Sequence, residues 1–248
     1  MRKVDDYFKE LIIVNSRRVY DSCATKDYIE NTRCYFTESN QSIIDQSIGI
    51  KPKDVSIINV NVEVEPVKFQ KNFFLIRQSF FFDIEFETKL LNSSQNLNSL
   101  CLFSKNITMY GGEINVKKFS SKKEHNEIDL LPTAIVQVSN PVIFNSNLND
   151  VTYADDLGKI PIVPEEILSY FGGNLEYINV KKYVNITLGI FTITHIERNV
   201  QMLIPCCDAG KPKKEYIQEI NTKKRFNEMK FPITDFYPSN NGIFNPID

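Results

Sequence analysis

His195 and Glu197 are the first candidates for acid-base or metal chemistry in this sequence. The chain has only two histidines, and His195 lies in a run of alternating apolar and polar residues, whereas His125 lies in a charged loop. Residues two apart on a strand point to the same face, so the imidazole and the carboxylate would be neighbours. Such a pair could sense pH or contact a metal, and a purely structural histidine is the simpler interpretation.

Motifs of established catalytic sites are missing from the rest of the sequence. It contains no GxSxG, GxGxxG, GxxxxGK[ST] or HExxH. The pairs Gly111-Gly112 and Gly172-Gly173 lack the flanking residues of a phosphate-binding loop and are interpreted as turns. Adjacent carboxylates such as Glu165-Glu166 are expected by chance among 31 acidic residues. We therefore predict a protein that is not an enzyme, with no catalytic residues, no cofactor and no metal.

The five cysteines are too scattered for a disulfide scaffold, and no CxxC suggests zinc. We interpret most of them, Cys23, Cys34 and Cys101 included, as reduced cysteines of the core. Cys206 and Cys207 are the exception, because adjacent cysteines rarely bridge each other but can each reach a different partner chain under oxidising conditions. They are candidates for an inter-subunit cross-link.

The charge balance argues against nucleic acid as a partner. Twenty-nine basic and 31 acidic residues give a net charge of −2, so no overall field attracts phosphate backbones. The densest basic stretch, residues 117–123, is flanked by Glu113 and Glu124 and offers a single aromatic residue for stacking. No apolar run approaches the roughly 18–20 residues of a membrane span, and the first residues lack a signal-peptide layout. We expect synthesis in the cytoplasm without a signal peptide and no membrane insertion.

Period-two alternation is the main secondary-structure signal. Apolar residues occupy every second position of residues 58–64, Pro66 ends the run, and a second run spans residues 73–86. Two such runs joined by a short polar link predict a long antiparallel hairpin. Its second strand has apolar residues on both faces, which predicts a position inside a sheet or against a neighbour. The polar stretch 91–99 is interpreted as a loop or linker.

Further short strands are predicted over residues 101–103, 107–110, 134–138, 142–144 and 183–194, with a turn at 197–199. Helices are predicted to be few. Pro164 and two glutamates precede an apolar stretch that ends at Gly172-Gly173, the expected order for a helix. Weaker helical candidates are residues 5–14, 41–48 and 213–220.

These patterns predict a mainly β fold of antiparallel sheets, arranged as two β-sandwich-like modules with a few short helices. The first module would span residues 1–120 and include the N-terminal helical segment, and the second would span 121–230. Residues 231–248 contain three prolines and would form an extended tail. Its aromatic residues are candidate assembly contacts: Phe231, Phe236 and Tyr237.

Several short segments between about residues 17 and 238 form a recognisable set. They are Arg18 to Cys23 with Lys26-Asp27, Val64 to Val67, Phe80 to Phe82, Leu188-Gly189, Glu197 to Gln201, Met229 to Pro232, and Asp235 to Pro238. Together they resemble a conserved family of proteins from spore-forming clostridia, associated with the spore coat or exosporium. The resemblance implies a self-assembling structural component that is deposited on the spore surface.

Three positions depart from the family pattern. Tyr28 stands where a second cysteine is usual, Asn199 replaces a proline before Val200, and Cys206-Cys207 replaces a more widely spaced arrangement. Cysteine cross-linking is therefore not carried over from the family.

We expect, on these grounds, a structural subunit that forms homo-oligomers or lattices with itself and other coat proteins. A β-sandwich module that binds a carbohydrate or peptide is the alternative, with an aromatic face built from Tyr170, Tyr177 and Tyr183.

Overall fold

The computed structural model describes residues 10–113, 131–152 and 160–206. The chain divides into two compact units, Met1–Ile12 with Ile204–Asp248, and Ile13–Leu203. Of the first unit, only residues 10–12 and 204–206 are described. The elements are, in chain order, β1 (Glu10–Tyr35), α1 (Glu38–Ile44), β2 (Gly49–Pro66), β3 (Phe73–Lys89), β4 (Ser94–Tyr110), β5 (Thr133–Val138), β6 (Val142–Asp150), α2 (Glu165–Tyr170) and β7 (Lys182–Cys206).

The seven strands of the described residues belong to one sheet, in the order β2-β3-β4-β1-β7-β5, with β6 also paired to β7. The ladders of β2 with β3, β3 with β4, β4 with β1, and β7 with β5 and β6 are antiparallel. The prediction of a mainly β, antiparallel fold with short helices is thus confirmed. The sandwich-like modules are not confirmed, because strands from both sides of residue 120 hydrogen-bond within the same sheet.

The predicted hairpin is β2 followed by β3, with Val64 opposite Ile76 and Val60 opposite Phe80. As expected from its apolar residues on both faces, β3 lies between two strands and most of its residues are buried. The loop predicted over residues 91–99 is wrong from Ser94 onwards, where β4 begins. Polar residues of this stretch form hydrogen bonds to the neighbouring strand. The Asn96 side-chain amide, for example, donates to Glu85 Oε1 at 2.9 Å.

The N-terminal strand β1 is a correction to the expected helix, because residues 10–14 are extended. The turn expected at 197–199 is also wrong, since β7 continues through it. Glu197 pairs with Thr133 of β5 there, and this pairing keeps the backbone extended. The helix after Pro164 is confirmed as α2, with Gly172 behind it at φ +71°, and α1 covers part of the weaker candidate 41–48.

The strands β5 and β6 act as one interrupted strand along β7. The first pairs with residues 192–197 and the second with residues 182–189, with Ser139 N–H donating to the Phe191 carbonyl at 3.0 Å between them. The sheet curls until β2 comes near β5 and β6, whose apolar residues join one core cluster. Among the described residues, no ladder joins β2 to these strands.

The concave inner face of the sheet holds two apolar clusters. The larger is built around the aromatic residues Phe80, Phe82 and Phe86, and the smaller around Phe74 and Met109. A third cluster lies on the outer face, where the segment containing α2 covers β3 and β4 and buries Phe81, Leu100, Ile167 and Leu175.

The predicted module boundary near residue 120, the helix at 213–220 and the tail at 231–248 lie outside the described residues. They stay predictions.

Candidate functional site

A polar layer separates the two apolar clusters of the inner face. Lys105 of β4 lies at its centre, with Thr25 and Asp27 of β1 on one side and Thr192 of β7 beyond them. The Lys105 side chain is only 11% exposed and that of Asp27 23%. Charges in such a setting must be paired, since an unpaired buried charge is strongly destabilising.

The Lys105 ammonium group has a partner for each of its three hydrogens. It contacts Asp27 Oδ2 at 2.5 Å, Thr192 Oγ1 at 2.7 Å and Thr25 Oγ1. It also lies 5.5 Å from the centre of the Phe80 ring, within cation-π range. An ammonium has three donors and no acceptor, so no donor remains here for a substrate. The hydrogen bonds of Lys105 therefore hold β1, β4 and β7 together.

Gln78 completes the polar layer from β3. Its amide nitrogen donates to Thr194 Oγ1 at 2.8 Å, and both residues are fully buried. Gln78 Oε1 has no hydrogen-bond partner among the described protein groups. A buried acceptor of this kind is ordinarily satisfied by an internal water molecule.

A second feature, which we call the aromatic patch, lies on the outer face of β1, β6 and β7. It consists of five exposed side chains, those of Tyr28, Val142, Phe144, Phe191 and Ile193. The Tyr28 and Phe144 rings meet edge to face with their centres 5.1 Å apart. Exposed apolar side chains in such a contiguous group are typical of interaction surfaces.

A β-bulge in β6 directs Phe144 across the patch. Ile143 pairs with Leu188 and Asn145 with Thr187, so Phe144 is the extra residue between two pairs. Its ring covers Gly189, where a Cβ would lie only 2.7 Å from the ring. Glycine at this position is therefore what allows Phe144 to reach Tyr28 over β7.

Opposite charges flank the patch on β1. Lys26, Tyr28 and Glu30 alternate along the strand, are all exposed, and share the outer face. The Lys26 ammonium lies 5.4 Å from the centre of the Phe191 ring, in cation-π contact. The positive and negative groups thus stand on either side of the central tyrosine.

His195 and Glu197 share one face as predicted, with Nε2 and Oε2 3.8 Å apart. Glu197 is paired more closely with Arg17, whose Nη1 lies 2.8 Å from Oε1. Across the described ranges, no three His, Cys, Asp or Glu side chains are grouped as metal ligands.

Two of the three tyrosines of the expected ligand-binding face, Tyr170 and Tyr177, have separate partners. Tyr170 donates to Asp83 Oδ2 at 3.0 Å, and this hydrogen bond raises the pKa of Tyr170. Tyr177 packs against Tyr35 at 5.4 Å between ring centres, and burial raises the pKa of Tyr177. Among the described ring contacts, none joins Tyr170, Tyr177 and Tyr183 to one another.

Cys206 is the last residue of β7, and Cys207 lies outside the described residues. The same holds for the candidate assembly contacts in the tail, namely Phe231, Phe236 and Tyr237.

Sequence reasoning missed both the polar layer and the aromatic patch. A signal for the first exists, since Lys105 occupies an apolar-side position between Phe103 and Ile107 of an alternating run. The second depends on a bulge and on strands far apart in sequence, for which the residues give no local sign.

Comparison of the chain with protein-family models, with curated proteins and with solved structures finds no match. Within the described part of the chain, every helix is too short or too polar to cross a membrane.

Proposed function

We propose that this chain is a non-enzymatic structural protein that associates with copies of itself, as a subunit of a spore coat or other surface layer. The aromatic patch is the observation that carries the self-association. Aromatic residues concentrate binding energy at protein interfaces because they bury a large area at little cost in side-chain entropy.

A second copy of the same chain fits the charges around the patch. In a two-fold symmetric contact each surface meets itself, so residue i contacts j and j contacts i. Two antiparallel β1 strands facing each other across Tyr28 would place Lys26 of one copy opposite Glu30 of the other. Both ion pairs form at once, and the apolar residues between them leave water together.

The edge of the sheet is less suited to assembly than its outer face. The edge strand β2 already lies near β5 and β6, contains Pro52 and has register shifts at Pro52/Asp54 and Ile57/Asn59. Prolines and bulges interrupt the row of free backbone groups that an added strand would need. Association through the patch leaves this edge untouched.

The interior supports a structural role as well. The one buried lysine of the polar layer gives all three of its hydrogens to partners within the chain. Those contacts stabilise the arrangement of β1, β4 and β7 and present no reactive group.

Light scattering of the purified chain across concentration, in reductant, tests the self-association. We expect a molar mass above the monomer's 28.7 kDa that rises with concentration. Phe144→Ser should lower it at every concentration. Phe69→Ser is the matched control, because Phe69 is fully exposed at the turn between β2 and β3 and should leave the mass unchanged. A wild-type chain that stays monomeric throughout contradicts the proposal.

A charge exchange tests the two-fold geometry. Lys26→Glu and Glu30→Lys should each weaken association by placing like charges opposite each other, and the double variant should restore it. Failure of the double variant to recover would exclude this pairing while leaving the aromatic contact to be judged by Phe144→Ser.

Negative-stain microscopy tests the layer. The clostridial resemblance motivates this part of the proposal, and ordered sheets or large regular particles are the expected result. A closed dimer without larger species would support the patch contact and overturn the surface layer.

A further inference from the structure

Cys34 and Cys101 stand directly opposite each other in the ladder between β1 and β4. Opposite residues of an antiparallel pair have Cα atoms about 4.5–5.5 Å apart, inside the range of about 4.4–6.8 Å that a disulfide spans. Both cysteines are free thiols and both are buried, Cys34 at 2% and Cys101 at 0% exposure. The structure therefore holds a preformed dithiol pair.

Asn31 is what brings Cys34 to this position. Ile29 and Cys34 both face the inner cluster although they are an odd number of residues apart. The backbone of Asn31 between them adopts φ 51°, the left-handed region that asparagine tolerates better than most residues. This irregularity shifts the alternation by one residue and turns the Cys34 side chain towards Cys101.

The junction that the cysteines occupy is short. Among the described residues, the ladder joining β1 to β4 has two residue pairs, Cys34 with Cys101 and Tyr35 with Leu100. Elsewhere β4 is held along its full length by β3. A covalent bond at this junction would therefore fix the place where the chain's first strand meets the hairpin.

We propose that Cys34 and Cys101 form an intrachain disulfide when the chain meets a disulfide oxidant such as oxidised glutathione. One protein thiolate attacks a glutathione sulfur, forming a mixed disulfide and releasing one glutathione thiolate. The second protein thiolate then attacks the protein sulfur of that mixed disulfide and releases the second glutathione. The two cysteines lose two electrons and two protons, and the oxidant gains both as two glutathione thiols.

Reaction at this site is slow in the folded chain, because both thiols are buried away from the oxidant. Hydrogen bonding to the Cys34 thiol and burial raise the pKa of Cys101 well above its usual range, so little thiolate is present at neutral pH. The rate should increase with pH and with denaturant kept below the unfolding transition, since both raise the supply of accessible thiolate.

The test is thiol mapping of the full chain. The chain is incubated with oxidised glutathione at pH 8 with and without mild denaturant, then alkylated, digested and analysed by mass spectrometry. We expect a Cys34–Cys101 peptide pair in the wild type and in the control Cys23→Ser, whose altered thiol lies elsewhere in β1. The oxidised wild type should unfold at a temperature higher by roughly 4–16 °C than the reduced chain.

Two results would overturn the inference. One is recovery of Cys34 and Cys101 as separately alkylated or glutathionylated thiols under all of these conditions. The other is a bond from either cysteine to Cys23, Cys206 or Cys207 in place of the predicted pair. Both are read from the wild-type chain, so neither depends on whether a Cys34 or Cys101 variant folds.

Discussion

Gln78 of β3 and Lys105 of β4 are direct cross-strand partners on the inner face of the sheet. One is an amide and the other a cation, in a row where most neighbouring inward residues are apolar. Each reaches across to a threonine of β7, Gln78 to Thr194 and Lys105 to Thr192. These hydrogen bonds add to the register that the apolar pattern already specifies, because a shifted strand would leave the buried Gln78 and Lys105 without their threonine partners.

Loss of the carboxylate beside Lys105 should be costly. Asp27→Asn leaves the ammonium in a largely buried place without its counter-charge, and we expect it to lower the free energy of unfolding by about 2–3 kcal/mol. Urea titration followed by circular dichroism measures this. Removing the charge as well, in Asp27→Asn with Lys105→Met, should destabilise by at least about 1 kcal/mol less than the sum of the single changes.

The surface pair Arg77 and Glu65 serves as the control for that measurement. Its side chains lie 2.9 Å apart but are about half exposed. Glu65→Gln should therefore lower the free energy of unfolding by less than about 1 kcal/mol. Equal losses at Asp27 and Glu65 would contradict the structural role assigned to the polar layer.

Gly189 should be intolerant of a side chain only while Phe144 covers it. Gly189→Ala would place a Cβ 2.7 Å from the ring, and we expect it to lower stability by about 1 kcal/mol and to weaken self-association. In a Phe144→Ala background the same change should be neutral or stabilising, as glycine in a strand is unfavourable by itself. Thermal unfolding of the wild type and the three variants completes the cycle.

The control for this cycle is Gly49→Ala, because a Cβ at Gly49 would meet no heavy atom within 4 Å. It should be neutral or stabilising in either background. A loss at Gly49 as large as that at Gly189 would show that backbone effects, and not the Phe144 ring, determine the result.

Because the backbone of Asn31 has a positive φ, we expect a β-branched residue at this position to be destabilising. Asn31→Val should lower the free energy of unfolding by roughly 1–2 kcal/mol, whereas Asn31→Gly should be tolerated. Asn106→Val is the matched change at an exposed strand position without positive φ and should be neutral or slightly stabilising. Urea midpoints distinguish the three, and equal behaviour of the valines would argue against the left-handed conformation.

The carboxyl group of Glu176 should make the free energy of unfolding depend on pH in the acid range. Hydrogen bonds from the backbone N–H groups of Asn179, Ile178 and Tyr177 lower the pKa of its carboxyl group. Because the folded pKa is lower than the unfolded one, the stabilisation is present above the unfolded pKa, about 4.3, and is lost as pH falls through the folded pKa. Between pH 6 and 3, Glu176→Gln should therefore lose less stability than the wild type does. If the urea midpoints of the wild type and of Glu176→Gln fell by the same amount between pH 6 and 3, this prediction would be refuted.

Local alternation was sufficient to predict the hairpin of β2 and β3, because Phe74 to Phe86 bury one face along their length and Val60 to Val64 half-bury the same face. Ile58 departs from the predicted alternation, since it lies at a register shift and packs in the third cluster on the outer face. The helix α2 followed equally from Pro164, two glutamates and the glycines behind it. In both places the residues that decide the structure are close together in the sequence, so their pattern carries the necessary information.

The strand β1 was not predictable in the same way. Its inward positions include Cys23, Thr25 and Asp27, which suit a strand only because Lys105 and Thr192 are there to meet them. The aromatic patch has the same origin, since Tyr28 and Phe144 belong to strands more than a hundred residues apart. Contacts of such separation arise from the tertiary fold and leave no periodic sign.

The position of β1 between β4 and β7 has a consequence for synthesis on the ribosome. The strands β2, β3 and β4 follow one another and can pair as they emerge, whereas Arg17 finds Glu197 only 180 residues later. Until β7 is made, β1 lacks its β7 partner and is paired with β4 only near Cys34 and Tyr35, while Thr25 and Asp27 lie on its inward side. The nascent chain must therefore keep its first strand from pairing with neighbouring chains until Lys182–Cys206 has been translated.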